Sequence, residues 1–264
     1  MYEIWITTIN AVGMESLGVT VTGRPVAPTP VEPVIPSDEP VWTGPRGTRF
    51  PVGSAGGQVS GFDGRLTVGY SDGTFRDGLA LYLDETQGGI PAGSLLEQGL
   101  IALTPAYWLT LSNGKPEKPV LVTFKFDPDR LGDIDPRLLG VYRQDDKDPN
   151  RWTYVGGVVD VGRGYVSVWL SGFSAYAVMA RDVKFLDMDA HWARDEVKVL
   201  AAHGIAAGKG EGRFGPDAPV TRAEFAKLLV MMLMQDARRG IRFEIPQSAT
   251  FADVNANAWY YPYV

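Results

Sequence analysis

The chain has 264 residues, 31 acidic and 25 basic side chains, a formal net charge of −6 and no cysteine. Neither a disulfide nor a thiolate metal site can form, and no run of 18 apolar residues is present to cross a membrane as a helix. An acidic balance without a basic cluster also argues against nucleic-acid binding.

The charge is uneven. Residues 181–264 hold 11 basic and 11 acidic side chains, which leaves 14 basic against 20 acidic in residues 1–180. The acidity therefore lies in the first two thirds, and a neutral C-terminal part suits an anionic partner better than an acidic one does.

In residues 2–22, Tyr2, Ile4 and Ile6 alternate with Glu3, Trp5 and Thr7, the period of a half-buried strand. Asn10 to Gly13 marks a turn, and Val19 and Val21 resume the alternation. The segment reads as a hairpin and resembles the last two strands of a fibronectin type III domain, with 1–23 as its C-terminal end. Met1 opens directly on this strand, without a basic region and apolar stretch of a secretory leader. For an exported protein, the expectation is a piece of a longer chain.

Prolines 25, 28, 30, 33, 36, 40 and 45 follow. They fix φ and remove backbone donors, so residues 24–45 read as an extended, semi-rigid linker. A Pro-rich ligand for a partner domain is the alternative.

Residues 46–180 carry the turn dipeptides Asp63-Gly64, Asp72-Gly73, Asp77-Gly78 and Asn113-Gly114. Strand-like runs are Leu66–Tyr70, Leu79–Leu83, Tyr107–Leu111, Val120–Phe126, Leu138–Tyr142, Trp152–Val155, Val158–Val161, Tyr165–Leu170 and Ser174–Met179. Short strands at this spacing predict an all-β sandwich. The run from Arg151 to Gly157, and that from Val166 through Phe173 and Tyr176, resemble a ZU5-like sandwich. This resemblance implies a spacer or interaction role and brings no catalytic set.

Two helices can be drawn through residues 181–240. The first runs from about Ala190 to His203, with Ala193, Val197, Leu200 and Ala201 on one face and Gly204 at its C-terminus. Thr221 and Glu224 form a capping box for the second. Val220 and Phe225 suit a hydrophobic staple, and Phe225, Leu228, Leu229 and Met232 continue an apolar stripe. Gly240, after Arg238 and Arg239, reads as its stop. Beyond a short link, Phe251-Ala-Asp253 and Trp259 echo Phe185-Leu-Asp187 and Trp192, so 241–264 read as the start of a second, truncated repeat.

Phe185 and Asp187, Trp192, Gly204 to Gly208, Phe214 and Pro216, and Thr221 to Glu224 occur in the order of the S-layer homology (SLH) module, which this stretch resembles. The resemblance implies an all-α module that attaches an extracellular protein non-covalently to the bacterial cell wall. The implied ligand is an anionic secondary cell-wall polysaccharide, often pyruvylated, seated between repeats. Other SLH repeats, of the same or neighbouring chains, are the implied partners.

Arg222 sits at the first helical position, where free N–H groups favour an anion and a guanidinium adds a bidentate clamp for a carboxylate. The resemblance implies the same role for the Arg of Thr221-Arg-Ala-Glu224. Pairing with Glu224 or Glu196 is the other reading. Glu224 is explained by the cap. Trp192 and Trp259 offer sugar-stacking faces or helix-packing area.

Other chemistry finds little support. Gly204 to Gly210 is one residue short of a phosphate loop and lacks Ser or Thr after Lys209. His191 and His203 are not spaced as a zinc pair. Asp127 to Asp135 and Asp145 to Asp148 lack the register of a calcium loop, and no Gly-x-Ser-x-Gly elbow occurs. The reading is a multidomain, non-enzymatic anchoring piece without cofactor or metal and without membrane insertion. The alternatives are the non-catalytic C-terminal part of a surface glycoside hydrolase or other extracellular enzyme, and an adhesive module.

Overall fold

The computed structural model describes residues 2–6, 19–23, 48–86, 89–235, 251 and 253–264. The chain divides into two units, Met1–Ile35 and Pro36–Val264. In the first, β1 (Tyr2–Ile6) pairs antiparallel with β2 (Val19–Gly23), in register from Tyr2 opposite Gly23 to Ile6 opposite Val19. The alternation in the sequence anticipates both strands. The linker expected at 24–45 lies outside the described residues, as does Gly240.

In the second unit the strands are β3 (Thr48–Val52), β4 (Gly57–Gly61), β5 (Leu66–Tyr70), β6 (Leu79–Glu85), β7 (Leu100–Ala102), β8 (Tyr107–Leu111), β9 (Val120–Lys125), β10 (Leu139–Gln144), β11 (Trp152–Gly156), β12 (Val158–Asp160), β13 (Tyr165–Leu170) and β14 (Ala175–Arg181). They form two antiparallel sheets. One runs β12-β13-β9-β5-β4; the other runs β11-β10-β14-β8-β6-β3, with β7 also on β14. The sheets share one apolar core that includes Phe50, Leu66, Val68, Leu81, Leu109, Val122, Phe124, Val141, Val166 and Val178. This is the sandwich expected from the spacing of strands and turns.

The differences from the sequence reading are local. No element was expected between Leu83 and Tyr107, yet α1 (Ala92–Glu97) and β7 lie there. β7 and β8 follow one another along β14 and are interrupted by Thr104 and Pro105. Pro105 has no N–H to give, and the Thr104 hydroxyl accepts the bond from Val178 N–H at 2.9 Å. β3 contains Pro51 and is the last strand of its sheet, where a missing donor is tolerated.

The outer face of the seven-stranded sheet is also covered. Leu100, Tyr142, Trp152, Ala177 and Met179 form a second apolar cluster, against which Ile90, Leu95 and Tyr154 pack. The chain after β14 docks beside this face. Tyr142 Oη donates to the Ala202 carbonyl at 3.0 Å, in a buried setting. The Tyr154 and His203 rings stack at 4.5 Å with 13° between planes, and Arg137 pairs with Glu196 at 2.8 Å.

Candidate functional site

Two helices frame the region after residue 181: α2 (Arg194–Ala202) and α3 (Arg222–Leu233). α2 is shorter than the expected Ala190–His203. Residues before it form successive turns, with Met188 N–H on the Phe185 carbonyl, His191 on Met188 and Arg194 on His191. Val197, Ala201 and Ala202 are its buried residues. At its end, Ile205 N–H bonds the Leu200 carbonyl at 2.9 Å and Gly204 N–H bonds Ala201 at 3.1 Å. This is a Schellman closure, and Gly204 takes the left-handed conformation that it needs, at φ +70.

The loop between the helices is fastened by a carboxylate. Asp187 accepts from Phe214 N–H through Oδ1 and from Gly215 N–H through Oδ2, both at 2.8 Å. The Phe214 amide is the main cause holding its carboxyl below the usual range. Phe185, two residues earlier, meets the Phe214 ring at 5.4 Å. Gly208 is required by space: a Cβ there would stand 2.6 Å from the Arg213 carbonyl and 2.8 Å from Phe185 Cε1.

α3 begins with both halves of the capping box. Thr221 Oγ1 accepts from Glu224 N–H at 3.2 Å, and Glu224 Oε2 accepts from Thr221 N–H at 2.7 Å. The Thr221 amide is also the main cause lowering the Glu224 pKa. α3 buries none of its residues; Val220, Phe225 and Met232 are more than half exposed. The last described turn, Tyr261–Tyr263, packs against α3 and buries Tyr261.

Between these parts lies a cavity of about 570 Å³, lined among others by Lys209, Phe214, Pro216, Lys227, Leu228 and Trp259. Lys209 Nζ stands 3.6 Å from Glu224 Oε1. Lys227 has no ion-pair partner among the described residues. With Glu224 also in the lining, the pocket holds two cations, one carboxylate and an apolar wall.

Of the residues singled out from sequence, Trp259, Gly208, Phe214, Pro216 and Glu224 line this cavity; Arg222, Trp192, Phe185, Asp187, Gly204 and Thr221 do not. Arg222 is exposed on the first turn of α3. Glu196 pairs with Arg137 at 2.8 Å, and Glu224 stands 3.6 Å from Lys209 Nζ. Trp192 is 89% exposed, with its ring 5.6 Å from His191. Lys209 entered the sequence reading only within a phosphate-loop match that fails, and nothing in the sequence sets Lys227 apart from other surface lysines.

The family model for the S-layer homology domain matches residues 184–226. This chain carries an S-layer homology domain. The matched segment runs from just before Phe185 to the first turn of α3, so it contains the Asp187 clamp, the Schellman closure and the capping box. An SLH domain is a non-catalytic module of extracellular proteins held at the bacterial cell wall, and the chain is placed there accordingly. No helix among the described residues is long and apolar enough to cross a membrane.

The chain is similar to an amylopullulanase of Thermoanaerobacterium thermosulfurigenes, 35% identical over 143 residues, covering 54% of this chain and 7% of the relative. An endo-1,4-beta-xylanase A of Thermoanaerobacterium saccharolyticum is 27% identical over 169 residues, 64% of this chain and 13% of the relative. The exoglucanase XynX of Acetivibrio thermocellus is 27% identical over 176 residues, 64% of this chain and 14% of the relative. The chain thus spans a small part of the length of the curated relatives it matches.

Proposed function

We propose that this chain anchors an extracellular protein to the bacterial cell wall by non-covalent, SLH-type binding of an anionic, pyruvylated secondary cell-wall polysaccharide. The observation that carries the reading is the pocket whose lining brings Trp259 together with Lys209 and Lys227. A sugar ring can lie on the apolar wall while its carboxylate meets the lysine ammonium groups. Arg222, on the exposed first turn of α3, acts as a further carboxylate clamp, and Trp192 as a stacking face.

In this reading residues 181–240 are an all-α SLH module and 241–264 begin a second one. Residues 46–180 are a ZU5-like spacer, 24–45 a linker and 1–23 the end of a fibronectin type III-like domain. Further SLH repeats complete the binding surface. Three relatives named as glycan-degrading enzymes favour a second, compatible reading of the parent protein as a surface glycoside hydrolase, with this piece outside its catalytic part.

The test is co-sedimentation with purified sacculi of the wild type, of Lys209→Ala with Lys227→Ala, and of Trp259→Ala. The reading expects weaker binding by both variants at unchanged far-UV circular dichroism. Wild-type binding by both overturns the assignment of the pocket.

A further inference from the structure

We infer that the open half of the seven-stranded sheet, at β3, β6 and β8, is a second ligand site that takes an extended, neutral glycan chain. It is separate from the SLH pocket and does not rest on it. On this half the outward residues are Arg49 of β3, Tyr82 and Asp84 of β6, and Trp108 and Thr110 of β8, all exposed. Their neighbours along the strands, Phe50, Leu81, Leu83 and Leu109, belong to the core, as the alternation of a strand requires.

Tyr82 is 38% exposed and Trp108 43%, and no other aromatic side chain of strands β3 to β14 is exposed. A single exposed ring needs no explanation, but these two are neighbours. The register sets Tyr82 opposite Thr110 and Asp84 opposite Trp108. The two aromatic residues are therefore diagonal neighbours on one face, ~7–8 Å apart, within reach of one ligand. Polar groups flank them. Arg49 lies opposite Tyr82, and the Arg49 and Thr110 side chains have no hydrogen-bond partner among the described residues. Asp84 Oδ1 accepts from Glu85 N–H at 2.9 Å, which fixes the carboxylate and leaves Oδ2 to a ligand.

The chemistry of the face selects its occupant. Aromatic rings hold the C–H face of a pyranose, and the guanidinium, carboxylate and hydroxyl beside them pair with its hydroxyl groups. One cation against one anion leaves no net charge to attract a charged ligand. Area speaks against a protein partner. Three strands ~4.8 Å apart and two rows ~7 Å apart span on the order of 10 Å by 7 Å, against the ~800 Å² that each side of a standard interface buries. The apolar cluster over the other half of this face includes Ala175, opposite Trp108, and no residue of β3 or β6. The platform is a sheet surface rather than a groove, so it suits a chain whose equatorial linkages keep it straight over one that coils away.

The test is a titration of the full chain followed by the indole N–H resonance of Trp108 in a ¹H–¹⁵N spectrum, assigned with Trp108→Phe. The probes are cellohexaose, a straight neutral chain, and maltohexaose, a coiled one of the same hexose. Cellohexaose is expected to move the Trp108 signal to saturation. Maltohexaose, which seats one ring at a time, binds at least about tenfold more weakly, and Tyr82→Ala weakens cellohexaose binding by a similar factor, the loss of one aromatic anchor. A Trp108 signal that stays in place up to the solubility limit of cellohexaose overturns the glycan and leaves the face to another partner. Saturation at the Trp259 indole with Trp108 unmoved overturns the location. Equal affinity for maltohexaose overturns the straight chain. Full binding by a folded Tyr82→Ala overturns the paired platform.

Discussion

Tyr142→Phe isolates the bond that joins the helical region to the sandwich. Tyr142 is 2% exposed, burial pushes its phenol above the ordinary range, and its hydroxyl donates to the Ala202 carbonyl at 3.0 Å. Ala202 is the last residue of α2, so this carbonyl is one that the helix leaves open. Removing the hydroxyl strands it in a buried place, at a cost of ~1–3 kcal/mol. Sandwich and helices belong to one unit, Pro36–Val264. For a unit of that size each kcal/mol moves the melting midpoint by about 2–4 °C, so the expected fall is ~2–12 °C. The phenyl ring stays, so its edge contact with Tyr154 at 5.4 Å is kept. Differential scanning calorimetry of wild type and variant reads the shift. A single transition that moves down together supports docking through this bond. An unchanged midpoint refutes it, as does a sandwich transition that stays in place while the helices melt separately.

The burial of His203 depresses its pKa against the opposing bond to the Arg137 carbonyl. The unfolded chain therefore takes up the proton first. The stability of the neutral form is complete above pH 6.5, falls as pH drops through about 6.5, and levels off below the folded pKa. Melting midpoints across pH 5–7.5 should show this slope in wild type and not in His203→Gln; equal slopes contradict it. Gly208→Ala forces a Cβ against the Arg213 carbonyl and Phe185 and should cost ~1–3 kcal/mol. Gly204→Ala meets no atom within 4 Å and carries only the left-handed penalty of ~1–2 kcal/mol; thermal melts rank the two. Arg222→Ala should lose ~1.5–3 kcal/mol of wall affinity without loss of fold. Arg222→Lys should recover only part, because the fork geometry is gone. Sacculus binding isotherms decide both.

Much of the sandwich was legible because its strands obey simple rules. Tyr107, Leu109 and Leu111 are buried while Trp108 and Thr110 face out, the alternation that the sequence displays. The limits of β5, β8 and β13 coincide with the sequence runs. β4 escaped because Gly57-Gln-Val-Ser-Gly61 has one large apolar residue; it is a strand because β5 supplies a full register partner. β7 escaped because three residues, cut short by Thr104 and Pro105, carry no period. In the SLH part, the capping box was legible because both partners lie within one turn. The Asp187 clamp was not, since the amides it holds are 27 and 28 residues away. Lys209 and Lys227 become a pair only when the loop and α3 fold toward Trp259.

The central claim is that this chain holds to the wall through a polysaccharide, and the most direct measurement is its sedimentation with sacculi before and after chemical removal of the secondary polymer. The account predicts that the chain sediments with intact sacculi, stays in the supernatant with stripped ones, and is released from intact ones by the free polymer. Equal binding to stripped sacculi would contradict it.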